Sequence, residues 1–251
     1  MTFLRKIFRL SRLIIFLFAS VAVTLFYKSE VKDGIPNTRY FIRAQKLMAK
    51  LCRILHLNLV VEGQQPERNG LLVSNHISWV DIPVVGAALP SLFLSKAEVK
   101  SWPLIGWVAK SNGTVFIARG KQGAADRAKA DLAHTLSHDV NVLLFPEGTT
   151  TDGTYLRKFH PRLFAAAIQQ DVVIQPLTIR YENANGELNN DIPFIDGQNI
   201  LDNIWRIVGV KNTTVRVTLL PQIPINGLAR KEIAQQAREV IHTALQLPPE
   251  N

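Results

Sequence analysis

Residues 74–83 read SNHISWVDIP and follow the apolar run Leu71–Val73. They set His76 and Asp81 five residues apart in a chain with only six histidines. On one continuous α-helix, five residues turn through about 500°, so the two side chains would diverge by roughly 140°. They can meet only if His76 sits on the turn leaving a strand and Asp81 lies in the first turn of the next helix. A strand running into a helix in this way is a building unit of α/β folds.

The sequence on either side repeats that alternation. LNLVVEG (57–63) and GLLVSN (70–75) read as strands, with a helix from Ser78 to about Ala88. LFLS (92–95) and TVFIARG (114–120) are further strands, separated by a helical stretch that Trp102-Pro103 breaks. Residues 123–138 form an amphipathic helix through Ala124, Ala128, Leu132 and Leu136, and NVLLFPEG (141–148) is a strand ending in a turn. A short helix is expected over 162–170, strands in VVIQPLTIRY (172–181) and TTVRVTLLPQIP (213–224), and a closing helix over 229–246. Residues 182–212 are rich in Asn, Asp and Gly and read as an irregular surface excursion. One α/β domain over 58–251 is expected, behind an N-terminal helical segment over 1–57.

The net charge of +9 is confined to that N-terminal segment. Residues 1–60 carry eleven Lys and Arg against two acidic residues, Glu30 and Asp33, while the remainder has eighteen of each sign. A neutral body argues against nucleic acid as a partner. Within the basic segment, Leu13–Tyr27 (LIIFLFASVAVTLFY) has no charge. As a helix these fifteen residues cover about 22 Å, short of the ~30 Å hydrocarbon core. No small-x-small site follows, which disfavours a signal peptide. Residues 36–57 then read as a basic amphipathic helix. The expectation is a helical hairpin over 1–57 inserted in one leaflet, on the cytoplasmic face of the cell membrane, and drawn to anionic lipid. A single span is the alternative. Trp102, Trp107 and Trp205 suit a membrane interface or the core equally.

Several residues could carry chemistry. Asp81 could orient His76 and stabilise its imidazolium while the other ring nitrogen takes a proton. The competing reading makes Ser78-x-x-Asp81 a helix-capping motif. LLFPEGTTTDG (143–153) runs from an apolar strand into Glu147, Gly148 and Thr149, where free backbone N–H groups suit an anion or headgroup. Arg119 ends a strand, where α/β sheets present ligands, and could grip a phosphate. His134 and His138 stand four apart with no third ligand in sight, and no metal site is expected. Cys52 is a lone cysteine on an apolar helix face and a poor nucleophile.

Taken in order, these blocks resemble the glycerolipid acyltransferase family that includes the lysophosphatidic acid acyltransferases. Asn75, His76 and Asp81 match its Asn-His-x4-Asp motif, with Ser78 and Trp79 between. Phe116, Ile117 and Arg119 match its second block, Phe145–Thr149 its third, and Val173–Pro176 its fourth. The resemblance implies a single mixed-sheet acyltransferase domain with flanking helices and an N-terminal membrane anchor. It implies His76 as base and Asp81 as its orienter, with Asn75, Ser78, Arg119, Glu147, Gly148 and Thr149 serving the substrate. The donor would be acyl-CoA or acyl carrier protein, the acceptor a lysophospholipid of the 1-acylglycerol-3-phosphate type, and no cofactor would be required. Two departures stand out: Thr150 replaces an arginine common after Glu-Gly-Thr, and Ala118 replaces an aspartate common before Arg119. Losing a cation makes another lysolipid, such as lyso-ornithine lipid, the alternative acceptor. A silent lipid-binding protein and a thioesterase are rival readings.

Overall fold

Seven strands join into one mixed sheet in the computed structural model, which describes residues 2–117, 123–195, 197–225 and 227–249. The chain opens with α1 (Thr2–Phe26), a small hairpin of β1 (Val31–Lys32) and β2 (Ile35–Pro36), and α2 (Thr38–Ile54). It continues through β3 (Leu57–Gly63), β4 (Gly70–Ser74), α3 (Asp81–Ala88), β5 (Leu92–Lys96), α4 (Ile105–Ser111) and β6 (Val115–Ile117). The rest runs α5 (Ala124–Leu136), β7 (Val142–Leu144), α6 (Phe164–Gln170), β8 (Val173–Glu182), α7 (Ile200–Ile207), β9 (Thr213–Leu219) and α8 (Arg230–Ala244).

The sheet order is β3-β9-β8-β4-β7-β5-β6. From β8 to β6 the strands are parallel; β9 runs antiparallel to β8 and pairs in parallel with β3. β4 is buried along its length because it is covered on both faces, as a central parallel strand must be. Leu71 and Val73 point into a layer with Leu132 of α5, Phe164 of α6 and Ile233 of α8. Leu72 points the other way, toward Val84 and Val85 of α3 and Cys52 of α2.

This layering positions the site. The chain leaves β4 across one face, through α3, to reach β5. It leaves β7 across the other face, through α6, to reach β8. The two connections leave adjacent strands on opposite faces, which makes the carboxyl ends of β4 and β7 the switch point at which open α/β sheets bind ligands.

Three expectations need correction. Residues 182–212 are not wholly irregular, because α7 lies within them. Asn199 caps it by accepting from Leu201 N–H at 2.8 Å, and Ile204, Ile207 and Val208 pack into the core. Helix α3 starts at Asp81 rather than Ser78, leaving residues 75–80 as a turn. The helix expected to start at 162 begins instead as a 3-10 turn at Pro161–Leu163.

The N-terminal helices join the body in different ways. Cys52 of α2 and Leu55 just beyond it lie in the core, and burial pushes the Cys52 thiol up to about 12. α1 is one helix of 25 residues, about 37 Å long, and Phe3–Phe26 is long and apolar enough to cross a membrane. Its polar side faces inward. Arg9 is 3% exposed and donates to the carbonyls of Val208, Val210 and Lys211 just past α7, while Arg5 donates to Gly209 O at 2.6 Å. Carbonyls at a helix C-terminus lack intrahelical donors, and a guanidinium supplies them. These two arginines, expected to meet lipid, instead bind the protein. Outward, α1 shows Leu4, Phe8, Ile15, Phe18 and Leu25, all at least 60% exposed.

Candidate active site

His76 sits two residues past the end of β4, and Asp81 is the first residue of α3. The intervening turn brings His76 Nδ1 within 2.7 Å of Asp81 Oδ2. The same oxygen accepts the N–H groups of Ile77 and Ser78 at 2.7 and 2.9 Å. Asp81 is fully buried, whereas the His76 side chain keeps 18% of its surface exposed. A buried carboxylate gathering three donors on one oxygen is an acceptor, so Nδ1 carries a proton and Nε2 is left free to act as a base. Phe145 stacks on the imidazole, with centroids 3.9 Å apart and planes 10° from parallel, closing one face of the ring.

Helix capping does not explain this turn. The N-cap of α3 is Val80, with no side-chain cap, and Ser78 Oγ is buried without a hydrogen-bond partner among the described residues. The carboxylate of Asp81 instead holds the turn that carries His76.

The turn after β7 wraps around the first one. Glu147 is 3% exposed; one oxygen accepts His76 N–H at 2.8 Å and the other accepts Arg157 N–H at 2.8 Å. His76 O accepts from Thr151 N–H at 2.8 Å, so the backbone of His76 is tied on both sides. Gly148, with φ of +75°, lets the chain reverse immediately after Glu147, and its N–H donates to Phe145 O at 3.1 Å. Thr149 is half-buried beside it. Asn75 grips β8 by donating to Ile179 O at 2.9 Å and accepting from Ile179 N–H at 2.8 Å. Thr150 is buried, and its hydroxyl donates to Phe194 O.

The structure thus brings together Asn75, His76, Ser78, Asp81, Glu147, Gly148 and Thr149. Arg119 and Ala118 lie outside the described residues. His134 and His138 are both exposed on the far side of α5, with rings edge-to-face at 4.7 Å. Sequence reasoning missed Tyr181, which is 2% exposed on β8 and donates its hydroxyl to Asp81 Oδ1 at 2.6 Å. The available signal was a tyrosine ending an apolar strand, since a buried phenol needs a partner.

Burial pushes the Glu147 carboxyl up to about 7, against the two N–H donors that favour its anion. A carboxyl raised in this way holds its proton more tightly folded than unfolded, where it titrates near 4.5. The stability this confers is fully present below about pH 4.5 and lost as pH rises through about 7, amounting to about 3 kcal/mol. Urea unfolding in micelles at pH 5 and pH 8.5 should show the parent losing more stability than a Glu147→Gln variant. An equal loss in both would contradict it.

A family model described as Acyltransferase matches residues 58–180. A lyso-ornithine lipid O-acyltransferase of Pseudomonas aeruginosa is 43% identical over 198 residues, covering 79% of this chain and 76% of that protein. A 1-acyl-sn-glycerol-3-phosphate acyltransferase of Neisseria gonorrhoeae is 33% identical over 219 residues, covering 86% and 83%. The crystal structure of the 1-acyl-sn-glycerophosphate (LPA) acyltransferase PlsC from Thermotoga maritima superposes with a TM-score of 0.71 at 20% identity, over 98% of this chain and 95% of that one. That likeness establishes the mixed-sheet fold with its flanking helices.

Proposed function

We propose an acceptor, a mechanism and a membrane placement from the premise that this chain belongs to the glycerolipid acyltransferase family. It is an O-acyltransferase, and its acceptor is a lysolipid. The observation that carries the mechanism is the 2.7 Å bond from His76 to the buried Asp81. Nε2 of His76 takes the proton from the lysolipid hydroxyl as that oxygen attacks the thioester carbonyl of acyl-CoA or acyl carrier protein. Asp81 stabilises the resulting imidazolium. The tetrahedral intermediate then collapses to the ester, the carbon–sulfur bond breaks, and the imidazolium returns its proton to the departing thiolate. Asn75, Ser78, Glu147 and Tyr181 are buried, so they shape the turn behind His76. Gly148 and Thr149, on its partly exposed side, meet the substrate.

Lyso-ornithine lipid is the favoured acceptor. The 43% identical relative is named for that substrate, and Thr150, whose hydroxyl bonds to Phe194 O, stands where the family resemblance implies an arginine for a phosphate acceptor. The Neisseria relative supports 1-acylglycerol-3-phosphate as the second reading. A radiolabelled acyl-donor assay against both lysolipids should give a kcat/KM on the order of tenfold or more in favour of lyso-ornithine lipid, since one charged hydrogen bond carries about that much discrimination. A preference for the phosphate would install the second reading. Release of free fatty acid without an acceptor would overturn acyl transfer itself.

α1 lies along the membrane surface rather than across it, on the cytoplasmic leaflet, because its polar side is fastened to the body through Arg9. Trp102, Leu104, Ile105 and Trp107 around α4 are each at least 38% exposed, and Asn112 at the end of α4 donates to Thr24 of α1 at 3.1 Å. Core packing therefore does not account for Trp102 and Trp107. They extend the apolar face of α1 with side chains that favour an interface.

A further inference from the structure

We infer that Tyr181 is a positioning residue for the acyl transfer, holding the Asp81 carboxylate as an anion aligned with His76 from the side opposite the imidazole. The inference rests on His76 acting as the base. Asp81 has two oxygens and no exposed surface, and among the described residues four donors meet them. Among the described residues, His76 Nδ1, Ile77 N–H and Ser78 N–H converge on Oδ2, and the Tyr181 hydroxyl alone reaches Oδ1 at 2.6 Å. The three bonds to Oδ2 hold only that end of the carboxylate. The phenol on Oδ1 fixes its plane.

Placement and chemistry both make the phenol a dedicated donor. Tyr181 comes from β8, a hundred residues along the chain, where it pairs with Val215 of β9 and is buried in the core layer that includes Val84 and Val85 of α3. Burial and the Asp81 charge raise its pKa well above the ordinary phenol value, so it keeps its proton. A proton held there draws charge toward Oδ1. When His76 becomes an imidazolium, a short bond to a bare buried carboxylate would invite the Nδ1 proton to cross. The hydrogen bond at Oδ1 opposes that transfer, leaving the positive charge on the ring, where it can serve the leaving thiolate.

The titratable groups packed around the pair are Tyr181 on β8, Cys52 on α2, Glu147 after β7 and Arg157 beyond it. Glu147 titrates in the neutral range, but it does so in parent and variant alike, so a comparison between them isolates the phenol.

Tyr181→Phe keeps the ring and removes the donor. It should lower kcat about 10- to 30-fold, with both KM values within about twofold. It should also move the acid limb of the kcat/KM profile upward by roughly half a pH unit, because the unshared carboxylate attracts the imidazolium more strongly. Replacing Tyr181 by 3-fluorotyrosine, a stronger donor of nearly the same size, should move that limb downward. Opposite shifts in the two proteins support the inference. A limb that stays put in both, with activity falling only as thermal stability falls, overturns it in favour of simple packing. His76→Ala run alongside separates the two readings. Near-normal turnover there overturns the base and this inference together; a dead His76→Ala enzyme with an unmoved Tyr181→Phe limb overturns this inference alone.

Discussion

Replacing His76 by alanine should lower acyl transfer on the order of 10⁴-fold or more, with the fold retained. The side chain supplies the base, but the turn is held by the backbone. Glu147 accepts His76 N–H and Thr151 donates to His76 O, and neither bond involves the imidazole. Alanine therefore loses the ring and its stacking on Phe145 without freeing the loop. Asp81→Asn is a finer cut through the same machinery. Its amide oxygen can take the place of Oδ2, facing three donors, while its NH2 turns to the Tyr181 oxygen. Geometry survives and only the charge goes. The expected loss is on the order of 10²–10³-fold, short of the ~10⁴ seen where such a change also disturbs the tautomer. Single-turnover assays on purified variants, with circular dichroism to verify folding, decide both points. Near-normal turnover in folded His76→Ala would end the base assignment.

A comparably large effect is expected at the membrane. Phe8 and Phe18 are 61% and 60% exposed on the outward side of α1, away from Arg9 and its carbonyls. Burying a Phe side chain in an apolar medium is worth about 1.5–3 kcal/mol, so moving both to water forfeits about 3–6 kcal/mol. Phe8→Glu with Phe18→Glu should therefore weaken partitioning onto anionic vesicles about 10²- to 10⁴-fold, while turnover of short-chain substrates in micelles persists. Co-sedimentation with vesicles reads this out directly. Full retention of the double variant on vesicles would place lipid contact elsewhere on the protein.

The His76–Asp81 contact was legible because it is local: helix arithmetic over five residues leaves one way for the pair to meet. The strands were legible for a similar reason, since Leu71–Val73 and Val142–Leu144 are short apolar runs bounded by turns. Tyr181 was not. Its approach to Asp81 depends on β8 lying beside β4 in a particular register, with Leu177 opposite Ser74, and nothing near residue 181 encodes that pairing. α7 was overlooked because Asn and Asp dominate its surroundings; its own signal was Asn199 followed by the spacing of Ile200, Ile204 and Ile207. The charge of the first sixty residues was read correctly in amount but not in direction. Composition counts Arg5 and Arg9 as cations available to lipid, and only the docked α7 shows that they turn inward.

The anchoring of Arg9 also has a consequence for biosynthesis. Its carbonyl partners at Val208, Val210 and Lys211 lie about two hundred residues downstream. At a synthesis rate of about 5–20 residues per second, α1 leaves the ribosome roughly 10–40 s before the surface it docks on exists. Throughout that interval Arg5 and Arg9 have no carbonyls to bind, and the whole helix is a ready client for chaperones or for the membrane insertion machinery. The docked arrangement of α1 is thus completed only once residue 211 has been made, so slowing translation in the second half of the message should lengthen the time for which Arg5 and Arg9 stay unpaired.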